Sequence, residues 1–171
     1  YYGFIRLLER GEIEIKGKSC VVLGTGGAAK SVITALHDLG AESIKVVSRT
    51  LSSKLTDLLE KFPYINIVIY ENFLEGDVII NTTPVGMYPN VGVSPVDEEV
   101  IKRFTAAVDI VYNPLRTEFL NLAEKNGLQC ADGFYMLIEQ AVKAQEIWQE
   151  REFDDSLGEE LYNYLADNFI K

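Results

Sequence analysis

Cysteine, histidine and basic residues are all scarce in this 171-residue chain. Cys20 and Cys130, 110 residues apart, make neither a disulfide framework nor a zinc site, and each reads as a buried thiol in a strand. The one histidine, His37, falls inside a helical stretch and reads as structural. No other cluster has metal-ligand spacing. Lysine and arginine total 16 against 26 acids, a net charge of −10, which argues against a nucleic-acid partner because phosphate binding needs a basic face. Apolar runs stop at strand length, as in residues 77–81, so no transmembrane helix or membrane partner is expected. The first residues carry no signal-peptide pattern, and the cytoplasm is the default address.

What is present suits a packed domain: 47 % of residues are hydrophobic and 11 % aromatic. The chain opens on Tyr1, not Met, directly in a short amphipathic helix (residues 1–9). It therefore reads as part of a longer polypeptide. Strand signals follow at residues 19–23, 43–48, 66–70, 77–82, 106–111 and 128–131. Helical spacing appears at 27–39, 52–62, 117–126, 134–151 and 156–170. This alternation predicts an α/β fold, a Rossmann-like doubly wound parallel six-stranded sheet with helices on both faces. Residues 1–150 form the expected domain, with 1–10 as a linker helix. Residues 151–171 form an acidic carboxy-terminal segment (net charge −5 over residues 150–171), its helix carrying a stripe of Leu157, Leu161, Tyr164, Leu165 and Phe169 for docking on the domain or on a partner.

Gly24, Thr25, Gly26, Gly27 and Ala28, closed by Ala29, fit G-x-G-x-x-A directly after a strand and opening a helix. Gly24 suits a tight turn, Gly26 lets the backbone approach a pyrophosphate, and Ala29 lets the helix pack on the strand. The phosphate would sit on the free N–H groups of the helix. A nucleotide-free glycine turn and an S-adenosylmethionine loop are the alternatives. The second strand ends in Ser48-Arg49-Thr50 without the acid that holds ribose hydroxyls in NAD sites. Arg49 is placed to meet a 2′-phosphate, Ser48 and Thr50 to donate hydrogen bonds, and Lys54 to add a second cation, hence NADP. A nicotinamide cofactor makes hydride transfer the leading chemistry, which also needs a proton acceptor. No tyrosine has a lysine four residues on, so the chain offers a cofactor site without an acid–base residue.

Four motifs occur in order: the glycine loop with Ser48-Arg49-Thr50; Asn81-Thr82-Thr83-Pro84-Val85-Gly86-Met87; Asp109 to Thr117; and Gly133 to Ala141. Together they resemble the shikimate dehydrogenase family over residues 1 to about 150, and Tyr1-Tyr2-Gly3-Phe4 resembles the stretch after that family's Asn-Thr-Asp motif. The resemblance implies an NADP-dependent oxidoreductase that reduces 3-dehydroshikimate to shikimate in the biosynthesis of chorismate and aromatic amino acids. It implies that Thr82, Thr83 and Pro84 line the nicotinamide ribose, that Ile110, Gly133 and Met136 lie along the nicotinamide, and that Tyr112 and Gln140 contact the substrate. Read alone, Met136 and Leu137 are helix core and Gln140 a surface amide. The family's Lys–Asp catalytic pair is expected upstream of Tyr1, in an amino-terminal substrate-binding domain. Ser48 and Ser53 stand where the family commonly has Asn and often Arg, which loosens the expected 2′-phosphate clamp. A quinate/shikimate paralogue with relaxed cofactor use and a non-catalytic dinucleotide-binding regulatory module are the alternatives. The sequence leaves the oligomeric state open, a homodimer included.

Overall fold

A computed structural model describes residues 1–48, 53–69 and 74–169. Six strands alternate with helices: α1 (Tyr2–Arg10), β1 (Ser19–Leu23), α2 (Gly27–Asp38), β2 (Ser43–Ser48), α3 (Ser53–Lys61), β3 (Asn66–Ile69), β4 (Val78–Asn81), α4 (Glu98–Ile101), β5 (Ala106–Asp109), α5 (Glu118–Lys125), β6 (Gln129–Asp132), α6 (Gly133–Gln149) and α7 (Leu157–Phe169). All five strand pairings are parallel, in the order β3-β2-β1-β4-β5-β6. That is the doubly wound order, in which the chain reverses direction across the sheet between β1 and β4.

Alternation along each strand feeds two cores, one per face. Cys20, Val22, Ile44, Val46, Val78, Ile80, Ala106 and Val108 point to the face covered by α1, α2 and α6. Val21, Leu23, Val47, Ile79 and Ala107 point to the face covered by α4 and α5. Strands buried on both sides are apolar at nearly every position, which is why VVL and VII appear as unbroken runs. Three strands differ at their ends from the sequence reading. β4 is confined to four residues, β5 stops at Asp109 and not Val111, and β6 is shifted one residue to end at Asp132. In each case the strand ends where a buried polar side chain begins to hold the following turn. The short helix α4 has no counterpart in the sequence reading, since four residues carry too little periodicity to register.

The carboxy-terminal helix packs on the domain through a joint that is partly polar. α7 docks on α6 and α1; Leu157, Leu161 and Leu165 of the stripe are half-buried, whereas Tyr164 is 62 % exposed. Gly158 lies against the Glu139 carboxylate, and the Tyr162 hydroxyl donates to Asp132 Oδ2 at 2.9 Å. Arg10 of α1 completes the joint. Its guanidinium donates to both carboxylate oxygens of Glu159, at 2.8 and 3.1 Å, and lies 3.9 Å from the Tyr162 ring centroid. A polar and aromatic joint of this kind leaves no trace in a hydrophobic count. Cys20 is buried as expected, its thiol pushed up to about 12 by burial and then by Asp77, whereas Cys130 is only half-buried. His37 is exposed and stacks on Tyr64 with ring centroids 3.9 Å apart.

Candidate dinucleotide site

Register sets the site. Leu23 pairs with Val47 and with Asn81, Asn81 with Asp109, and Asp109 with Asp132. All these strands therefore reach their carboxyl ends level with one another, and the segments that follow share one edge. Those segments are the Gly24–Ala28 loop, the Thr82–Pro84 turn, the stretch Ile110 to Tyr112 and the start of α6 at Gly133. Ser48, half-buried, ends β2 at the same edge. Arg49 and Thr50 lie outside the described residues, as does the side chain of Lys54.

The loop after β1 is held from below. Gly24 has φ +104°, a left-handed conformation that favours glycine, and a Cβ there would come within 3.0 Å of Thr82 Oγ1 and Thr83 Cγ2. The Thr82 hydroxyl and backbone N–H both donate to the Leu23 carbonyl, at 2.7 and 2.9 Å, so the two turns form one packed unit. Above them the loop is open. Among the described residues, a Cβ at Gly26 or Gly27 would meet nothing within 4 Å, and no side chain caps the first turn of α2. What these glycines leave is space over a helix amino terminus, where backbone N–H groups favour an anion.

The neighbouring turn rests on a buried polar cluster. Asn81 and Asp109 are fully buried and Thr117 nearly so. Asn81 Nδ2 donates to Asp109 Oδ1 at 3.0 Å and to the Val85 carbonyl at 3.3 Å. Its Oδ1 accepts from the Thr83 N–H at 3.0 Å and the Thr83 hydroxyl at 2.6 Å. Asp109 Oδ1 also accepts from the Val111 N–H at 3.0 Å, and Oδ2 accepts from the Thr117 hydroxyl at 2.7 Å. Thr117 in turn caps α5 by accepting from the Leu120 N–H. Burial pushes the Asp109 carboxyl up to about 6; bonds from Thr117, Val111 and Asn81 pull it down, and the nearby Asp132 charge pushes it up again.

Across the edge, Gly133 sits directly on the Ile110 carbonyl, an approach no Cβ allows. Asp132 accepts from the Phe134 N–H at 3.2 Å and so starts α6. Ile110 is half-buried and Met136 buried, while Tyr112 is 45 % exposed and lies three residues beyond the end of β5. Leu137 is 40 % exposed, so it is not the core residue its spacing suggests. Gln140 is exposed and donates to the Met136 carbonyl, and Gly3 of α1 packs against both residues. The sequence reading named these residues singly but not the pairings of Gly24 with Thr82, Gly133 with Ile110, or Asn81 with Asp109. Glycine at tight approaches was the only signal available for the first two.

Sheet order, level strand ends and a glycine turn at the reversal point define a Rossmann-type α/β domain. Over nearly its whole length the chain is similar to shikimate dehydrogenases. It is 48 % identical over 172 residues to the shikimate dehydrogenase (NADP(+)) of Clostridium perfringens strain 13, covering 99 % of this chain and 63 % of that protein. A chorismate mutase/shikimate 5-dehydrogenase fusion protein from Clostridium acetobutylicum superposes with a TM-score of 0.88 at 41 % identity, over 96 % of this chain and 60 % of that one. Shikimate 5-dehydrogenase from Thermus thermophilus, solved in complex with NADP(H) and shikimate, superposes with a TM-score of 0.81 at 35 % identity, over 95 % and 60 %. The chain thus spans about three fifths of the length of the relatives it matches. No protein-family model matches it.

The buried Asp109 has a consequence for stability. Its carboxyl is raised when folded, from the usual value near 3.9 to about 6, so the folded state holds the proton more tightly. The associated stability is complete below about pH 4 and is lost as pH rises through 6. Asp109→Asn removes this slope. In urea unfolding, the stability of the variant relative to the unmodified chain is expected to rise by on the order of 2–3 kcal/mol between pH 4 and pH 7. A constant difference contradicts the assignment.

Proposed function

We propose that this chain is the NADP-binding part of a shikimate dehydrogenase, an enzyme that reduces 3-dehydroshikimate to shikimate with NADPH in the route to chorismate and aromatic amino acids. The single observation that carries the reading is the open space over Gly26 and Gly27 at the amino terminus of α2, level with the Thr82–Pro84 turn. A pyrophosphate needs that combination of backbone N–H groups and absent side chains.

In this reading Gly24, Thr25, Gly26, Gly27 and Ala28 cradle the pyrophosphate, and Ser48, Arg49, Thr50 and Lys54 face the adenosine 2′-phosphate. Thr82, Thr83 and Pro84 hold the nicotinamide ribose, while Ile110, Gly133 and Met136 form the wall along the ring. The nicotinamide supplies the hydride when bound. Tyr112 and Gln140, both exposed at this edge, contact the polyol carboxylate. Gly3 against Met136 and Gln140 brings the start of α1 to the same place, next to the substrate contacts. The proton donor and acceptor belong to a substrate-binding domain preceding Tyr1, in keeping with the additional length of the relatives. Residues 1–150 form the cofactor domain, and α7 is its appended helix. Among the described residues no helix is long and apolar enough to cross a membrane, and we place the protein in the cytoplasm.

Fluorescence titration with NADPH and NADH side by side tests the cofactor assignment. NADPH is expected to bind more tightly, and Arg49→Ala to lower its affinity by about tenfold or more while leaving NADH unchanged. Equal affinities in both proteins contradict it. Residues 1–171 alone are expected to give no shikimate-dependent reduction of NADP+, and measurable turnover contradicts the assignment of the acid–base pair to a preceding domain.

A further inference from the structure

The cluster of Asn81, Asp109 and Thr117 lies beneath the proposed site without reaching it, and its chemistry is directional. A carboxylate only accepts hydrogen bonds, whereas an amide has one accepting and one donating end. Facing Asp109, Asn81 must turn its Nδ2 toward the acid. Its Oδ1 is thereby turned toward the Thr83 N–H and hydroxyl, at 3.0 and 2.6 Å. The Thr83 hydroxyl in turn accepts from the Val85 N–H at 3.2 Å. On its other side the same carboxylate accepts from the Val111 N–H, at the start of the stretch that carries Tyr112.

We propose that Asp109 is a positioning residue for both the Thr82–Pro84 turn and the Ile110–Tyr112 stretch: its carboxylate fixes which way the Asn81 amide points and so sets the two turns as one rigid unit. This rests on the dinucleotide reading of the site. The groups facing Asp109 are the neutral Asn81 on β4, the neutral Thr117 at the start of α5 and the carboxylate of Asp132, its register partner on β6. A charge buried between an amide and a hydroxyl, with a second acid beside it, lowers the stability of the fold at neutral pH. An asparagine or a protonated acid fills the same volume but does not impose direction. With either, the Asn81 amide can reverse and Thr83 loses its acceptor. The carboxyl titrates at about 6, so the directional control is present above that pH and fades below it.

The experiment is calorimetric titration with NADP+ from pH 5 to 8, together with amide exchange of Thr83 measured by NMR without ligand. The unmodified chain and Asp109→Asn experience the same titration of the nucleotide's own phosphate, so the difference between their profiles isolates Asp109. At pH 7.5 Asp109→Asn is expected to bind about tenfold more weakly and to exchange the Thr83 amide about tenfold faster. The gap in affinity should close toward pH 5. Thr117→Val removes one hydrogen bond to the charged form and should move the midpoint of the unmodified profile upward, and Thr117→Ser should restore it. That pair carries the test if Asp109→Asn does not fold. Superimposable affinity profiles with unchanged Thr83 exchange overturn the proposal, and so does a midpoint indifferent to position 117. If the unmodified chain binds no NADP+ at any pH, the dinucleotide reading fails, and Thr83 exchange alone decides the role of Asp109.

Discussion

A side-chain hydrogen bond, from the Asn81 amide to the Asp109 carboxylate, joins the carboxyl ends of β4 and β5 inside the sheet. Around it the edge is built as a row. Leu23, Asn81, Asp109 and Asp132 stand in register, and the last three each send hydrogen bonds into the segment that follows. Asn81 holds Thr83, Asp109 holds Val111 and Thr117, and Asp132 starts α6 and accepts from Tyr162 of α7. Polar groups buried this deeply are tolerable only when fully paired, and among the described residues every buried side-chain nitrogen and oxygen has a partner. The apolar strands below supply the burial, and the polar row above them gives the turns their shape.

Most of the architecture was legible in the sequence because parallel strands covered on both faces are apolar at successive positions. VVL in β1 and VII in β4 carry no period of their own, but their β-branched residues, short length and flanking turn residues mark them as strands. The helices that pack by one face, α2 and α5, show it in their spacing. Strand ends were less legible. They are set by where Asn81, Asp109 and Asp132 turn the chain, and these residues look like ordinary polar punctuation until their cross-strand partners are known. The polar part of the α7 joint was not legible, because Gly158 on Glu139 and Arg10 on Glu159 and Tyr162 contribute nothing to an apolar stripe.

The site divides in the same way. The glycine loop announces itself locally, since its function needs consecutive residues on a strand, a turn and a helix. Tyr112, Gln140 and the Thr82–Pro84 turn took on a role only through family resemblance, because nothing in their own neighbourhoods separates a ligand contact from a surface residue. Asp109 shows the opposite limit. It belonged to a quoted motif, yet its pairing with Asn81, 28 residues earlier, exists only through the register of two strands. A buried charge that lowers stability at neutral pH is a sign that geometry, not stability, is what the position supplies.

A dinucleotide seated along this edge would touch segments from four strand ends at once. Backbone amide chemical shifts of the chain, recorded during titration with NADP+, read the seat residue by residue. The predicted result is a contiguous set of changes at Gly24 to Ala28, Thr82 and Thr83, Ile110 and Gly133 to Met136, with α4, α5 and α7 silent. Saturable changes confined to other surfaces, or none at millimolar nucleotide, would contradict it.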